Sequence, residues 1–188
     1  MANPNGPFGL KPFRHRFGVT PTRNRYTIAS TYGTSIFTGQ VVELTGTTNQ
    51  IASAAADNAD NLGVFDGVEY TDATGARVFS RYWPASTVGT NIVAYVYDDP
   101  FIIFLAQFTT LAVTDIGAGF KWVVGSGNTR TGISGAYVDA ATTATTDVQL
   151  RCEGLAPIGN NAYGAYAVAE VSFMEHVRLN VVGGVGGI

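Results

Sequence analysis

NIVAYVYDDPFIIFLAQFTTLAVTDIGAGF, residues 91–120, decides how the fold is read. It opens with β-branched and aromatic residues from Ile92 to Tyr97, breaks at Asp98-Asp99-Pro100, and runs apolar again from Phe101 to Phe108. Proline presets its own φ and aspartate hydrogen-bonds nearby backbone, so the break reads as a tight turn. Two strand-like runs around one turn predict a hairpin. Every residue from Phe101 to Leu105 is apolar. Successive strand side chains point to opposite faces, so this run must be covered on both sides. That places it in the middle of a sandwich, in a backed barrel wall, or at a subunit contact.

Working outward, β-prone runs recur every 8 to 15 residues or so, the spacing of a sandwich or barrel, and none carries a helical stripe. Ile36–Thr45 is a strand run interrupted at Thr38-Gly39, and TDATG at residues 71–75 is a hairpin turn ahead of Arg77–Trp83. In Leu62–Tyr70, Val64, Val68 and Tyr70 share one alternation phase, while Gly63 and Gly67 mark bulges or close backbone approaches. Ala165–Val182 is the longest sheet signal near the end, with Val171, Phe173, Val177, Leu179 and Val181 on one face and His176 opposite. A short helix is expected in Asn49–Asp57 or Phe108–Ile116. The expected fold is therefore all-β: a compact, β-tulip-like barrel or sandwich with an extended N-terminal arm and at most one or two short helices. Residues 1–25 form the arm, 26–182 the body and 183–188 a glycine-rich tail. Residues 125–147, small and polar, read as a loop or as a second interaction arm.

Hydrophobic residues make up 46% of the 188-residue chain and charged residues 13%, against about 25% in an ordinary domain. Thr, Ser, Asn and Gly, or partners, must therefore cover much of the surface. No window supplies the ~18–20 uninterrupted apolar residues of a membrane helix, and MANPNGPFGLKPFRHRFG lacks the apolar core of a secretory signal. The single cysteine, Cys152, excludes an internal disulfide framework and reads as a small buried thiol. Lys11, Arg14, Arg16, Arg23 and Arg25 fall in the first 25 residues with no acid among them, which leaves −8 on the rest of a chain whose net charge is −3. A basic arm on an acidic body suits nucleic acid or an acidic protein surface. Pro7, Phe8, Leu10, Pro12, Phe13 and Phe17 interleave the charges and argue for protein, because phosphate contacts need no apolar anchors.

The residues that carry chemistry are sparse. His15 and His176 have no carboxylate or second histidine at metal-ligand spacing, and Ser134 and Ser172 stand in no nucleophile elbow. Asp98 and Asp99 read as turn formers rather than a paired acid and base. Gly63, Gly67, Gly117 and Gly119 form no phosphate loop, since no Gly-Lys-Ser/Thr follows. The expectation is a non-enzymatic chain without cofactor or metal.

Two stretches resemble a known family. NGPFGLKPFRH leading into NRYTIASTYGTSIFTGQVVEL resembles the start of small head proteins found beside the major capsid protein in tailed bacteriophages. In those an Asn/Pro/Gly-Phe-Gly arm precedes a Tyr-x-Ile strand and a Thr-Gly-x-Val-Val turn-strand. LGVFDGVEYTDATG, RYWPA and AYVYDDPFIIFLAQ are similar to the body of the same proteins, so the resemblance spans roughly residues 5–120. It implies a capsid decoration, or cement, protein on the outer virion surface, analogous in role to the head decoration protein of phage lambda. The implied partners are the major capsid protein and further copies of the chain, as a homotrimer, with no nucleic acid and no membrane. Phe8, Leu10, Phe13 and Phe17 are then the arm anchors, with Lys11, Arg14, Arg16, Arg23 and Arg25 on acidic capsid surface. Phe101, Ile103, Trp83 and Trp122 are oligomer or capsid contacts. Removing the arm should leave a folded body. Two other readings stay open: a head–tail junction or tail protein, and a carbohydrate-binding adhesion module with Trp83, Trp122 and the tyrosines as its glycan platform.

Overall fold

The computed structural model describes residues 3–46, 49–56, 60–144 and 148–179. Its strands begin with β1 (Lys11–His15), β2 (Asn24–Tyr26), β3 (Ile36–Phe37), β4 (Val41–Leu44), β5 (Ile51–Ser53) and β6 (Asn61–Asp72). Then come β7 (Arg77–Ser80), β8 (Tyr82–Trp83), β9 (Gly89–Tyr97), β10 (Ile102–Gln107) and β11 (Thr110–Leu111). The last five are β12 (Gly119–Val123), β13 (Tyr137–Ala144), β14 (Leu150–Leu155), β15 (Gly164–Ala165) and β16 (Val168–Phe173). The fold is all-β, as expected, and the only helical element described is a 3-10 turn at Val113–Asp115. The alternative helix site is instead β5, paired to β4.

The strands make two main sheets. One runs β1-β10-β16-β14-β12-β13 and curls back on itself, because Val138 of β13 bridges Phe108 just beyond β10, and Thr109 N–H donates to the Val138 carbonyl. The inside of this barrel is closed by fully buried Phe104, Phe120, Trp122, Leu150, Cys152 and Val171. The other sheet, β2-β9-β6-β4-β5 with β7 beside β6, presents Val41 and Val64 to that core. Its opposite face carries Val42, Phe65, Val68 and Tyr70 into a second core around Trp83 and Ile28.

Strand β6 serves both cores because its glycines change its phase. Ladder shifts opposite Gly63 and beside Gly67 turn Val64 to the first core and Phe65, Val68 and Tyr70 to the second. The single face expected for Val64, Val68 and Tyr70 is thereby divided. A Cβ at Gly63 would overlap the Tyr97 carbonyl, so the close approach read from this glycine is real. The TDATG hairpin is also present, with Asp72 Oδ1 accepting from the Thr74 and Ala76 N–H groups.

Residues 91–120 fold differently from expectation in two respects. Ile102–Leu105 are buried, as expected, but Phe101, the first residue of the run expected to be covered on both sides, is 39% exposed, and β9 and β10 do not pair. Strand β9 lies between β2 and β6, and β10 between β1 and β16, so Asp98-Asp99-Pro100 is a corner that carries the chain from one sheet to the other. Asp99 Oδ1 accepts from Phe101 N–H and behaves as the expected turn former. Asp98 instead turns inward, as described below.

Among the described residues, the last strand ends at Phe173. His176 lies in the following turn, where its Nδ1 accepts from Arg178 N–H, and Val177 packs on the second core rather than beside Phe173. Val181 and residues 183–188 lie outside the described residues. Residues 125–136 are held to the body through Thr38 N–H to the Gly132 carbonyl and Ser134 N–H to the Thr38 carbonyl, and β13 follows them.

Candidate functional site

The N-terminal segment is where function was expected, and it is part of the fold. Strand β1 pairs antiparallel with β10, and Leu10 is 1% exposed in the barrel core. Asn3 brackets the β15 region, its side chain donating to the Ala162 and Ala165 carbonyls and accepting from Ala162 N–H. Gln107 ties down the next turn, accepting from Gly6 N–H and donating to the Pro4 carbonyl. The two motifs of the resemblance meet here. Gly9 (φ 77°) and Gly39 (φ 89°) lie backbone to backbone, and Leu10 N–H donates to the Gly39 carbonyl at 2.8 Å. Left-handed backbone at both positions, with no room for a Cβ, explains why each motif needs its glycine. The independent arm of residues 1–25 is therefore corrected: its first half is an edge strand with its lead-in.

The charge asymmetry closes within the chain as well. Arg14 pairs with Glu170, Arg16 with Glu153 at 2.5 Å and Arg23 with Asp66 at 2.8 Å. Glu153, in spite of its burial, is held below its ordinary value by hydrogen bonds from Ser172 and Arg16. Three of the five expected capsid-facing cations pair with this chain's own acids, while their side chains remain 44–48% exposed. Lys11 and Arg25 make no ion pair among the described residues and stay exposed.

Three of the four residues expected to make oligomer or capsid contacts are interior. Trp83 and Trp122 are fully buried and Ile103 is 2% exposed, so none offers a surface and the two indoles form no glycan platform. Phe101 alone reaches the surface. It packs against Phe17 with ring centroids 5.1 Å apart and the rings tilted by 56°, and His15 lies beside both. His15 Nδ1 accepts from Phe17 N–H while its Nε2–H donates to Asp99 at 3.2 Å, which fixes the ring and presents the two phenylalanines as a rigid aromatic knob. Phe17 is 67% exposed, and Phe13 and Val19 flank it in sequence, also exposed.

A groove of about 560 Å³ lies further along the same edge, floored by Phe8, Leu10, Tyr97, Leu105 and Ile133, with Ile158 and Lys11 among its remaining lining. Phe8 thus lines a concavity instead of projecting as an anchor. A second exposed apolar site lies on the other sheet. Phe79 of the edge strand β7, level through Glu69 with Val93 in the middle of β9, is 71% exposed under the Arg77 guanidinium, and Val88 is separately exposed just before β9. Nothing in the periodicity of Arg77–Trp83 singled out Phe79, although its alternation with half-buried Val78 and Ser80 was readable.

The groups capable of acid–base chemistry are used to hold the body together. The Asp98 carboxylate, 1% exposed, accepts from Asn24 Nδ2 at 2.8 Å and Tyr26 O–H at 2.5 Å and pairs with Arg178 at 2.6 Å. Burial and the Asp98 hydrogen bond push the Tyr26 phenol up to about 12. Burial pushes the Cys152 thiol up to about 11 and the His176 imidazole down to about 4. Among the described residues no cluster of three His, Cys, Asp or Glu could hold a metal ion, and no helix is long and apolar enough to cross a membrane.

Fold and surface together define a two-sheet β-protein with exposed apolar side chains at two separate places. Comparison with protein-family models, with curated proteins and with solved structures gave no match in any of the three.

Proposed function

We propose that this chain is a structural protein of the tailed-phage virion that binds the outer surface of the capsid and cements neighbouring capsomers. The observation that carries the reading is the presence of two separate exposed apolar sites on one body, Phe79 on the edge strand β7 and the Phe17–Phe101 pair beside the start of β10. Through Glu69, Phe79 stands level with Val93 in the middle of β9, whereas Phe101 follows the end of β9 by four residues, so the two sites occupy different parts of the surface. A body with two such contacts that invests its ionisable groups in its own fold suits bridging between subunits. The motifs of residues 5–120 supply the phage context. With the N-terminal segment tied to the body, the shell contact in this reading is the β7 edge that carries Phe79, a strand edge unpaired among the described residues. Many copies around one shell would make even a weak contact persistent.

Binding of the purified chain to undecorated shells tests this. Burying one phenylalanine is worth about 1.5–3 kcal/mol and a rim ion pair about 0.2–1 kcal/mol. Phe79→Ala should therefore lower occupancy far more than Arg77→Ala. Wild-type protein that leaves shells bare would overturn the reading.

A further inference from the structure

We propose that two copies of this chain associate about a two-fold axis, the aromatic knob of each seated in the apolar groove of the other. The inference stands apart from the capsid reading, since it concerns the isolated protein. Knob and groove lie along one strand: Phe101 immediately precedes β10, and Leu105, in the groove, stands four residues further on. Four strand steps span about 13 Å. A two-fold axis midway between two such points exchanges them, so each knob meets the other copy's groove and both contacts form at once.

The occupant is argued from charge as well as shape. An isologous contact sets identical surfaces face to face, and a strongly basic face would repel itself. The basic segment around this knob is neutralised internally by Glu170, Glu153 and Asp66. What remains is complementary. Lys11 and Arg81, both at the groove, have no ion-pair partner among the described residues, and the groove's Asp66 is taken by Arg23, while the Asp99 side chain at the knob, held by His15, is still 39% exposed. The same two-fold brings Lys11 of one copy toward Asp99 of the other, twice. A central aromatic anchor in an apolar pocket, ringed by polar groups, is the anatomy of an interface hot spot. The arrangement is dimeric, in contrast to the trimer that the resemblance implies.

The test uses the full chain. Sedimentation and light scattering at micromolar to tenth-millimolar concentration should show a dimer. Phe17→Ser and, separately, Phe101→Ser should give monomers that melt within a degree or two of wild type, as befits exposed side chains. Lys11→Glu should weaken the dimer at least several-fold. Native Cys152 is buried, so a Phe17→Cys chain mixed with an Ile158→Cys chain should cross-link to each other under mild oxidation, and neither should cross-link to itself as fast. A monomeric wild type, a three-copy species, a dimer untouched by both serine variants, or absence of the mixed cross-link would each overturn the proposal. A chain that dimerises but leaves shells bare overturns the capsid reading alone. A chain that decorates shells as a monomer overturns this inference alone.

Discussion

Replacing Asp98 by alanine should cost more stability than its place in a surface turn would suggest. The carboxylate is 1% exposed and receives hydrogen bonds from Asn24 and Tyr26, with Arg178 closing the ion pair. Breaking a fully buried pair typically costs about 3–5 kcal/mol. Here Asn24 and the half-exposed Arg178 can regain water, so the figure must be discounted. The Tyr26 hydroxyl is buried and loses its acceptor, a penalty of about 1–3 kcal/mol. We expect Asp98→Ala to lose about 2–3 kcal/mol in urea titration and, for a chain of this size, roughly 5–10 °C in Tm. Asp98→Asn keeps a carbonyl acceptor and should lose about half as much. Arg178→Ala should add little to Asp98→Ala, because both remove the same contact. Asp98→Ala within about 0.5 kcal/mol of wild type, the usual scatter of a surface change, would refute the reasoning. So would full additivity with Arg178→Ala.

Other outcomes follow from the same packing. Leu10→Ala should cost about 2–5 kcal/mol by leaving a cavity in the barrel core, and removal of residues 1–15 should unfold the chain or leave it aggregating, as judged by circular dichroism. Gly39→Ala forces a Cβ toward the Phe8 carbonyl in left-handed backbone and should cost about 1–3 kcal/mol, whereas Gly75→Ala meets nothing within 4 Å and should cost less. His176 is neutral in the fold, its value lowered to about 4 by burial and then by Arg178, with Asp98 and Asp99 opposing. Because the unfolded chain takes up that proton first, the contribution is complete above the unfolded value of about 6.5 and is lost as pH falls toward 4; it amounts to roughly 3 kcal/mol. A stability–pH curve of His176→Gln should be flatter than wild type over that window, and equal slopes would exclude the effect.

The all-β class and the two-sided burial of Ile102–Leu105 were legible because they rest on local period alone. So were the TDATG hairpin and the close approach at Gly63. What was not legible depends on which segments meet. Asp-Asp-Pro marks a reversal, but the same residues serve a hairpin or a corner between sheets, and only the partners of β9 and β10 decide. The proline-rich opening hides its strand because a single residue, Leu10, carries the core contact. Five cations without a nearby acid in sequence looked outward, yet Glu170, Glu153 and Asp66 reach Arg14, Arg16 and Arg23 across the fold. The acidic excess of the body was the available hint. By residue type Trp83 and Trp122 read equally as core or interface anchors, and the sheets, whose order the sequence does not reveal, put both in the core. Asp98 differs from Asp99 only in which way the corner turns it.

A cryo-electron density map of shells carrying this chain would decide most. The account predicts density over the outer surface between capsomers, with the β7 edge that carries Phe79 against the shell and the Phe17–Phe101 knob toward a second copy. A bare shell, with the chain confined to one vertex or to the tail, would contradict it.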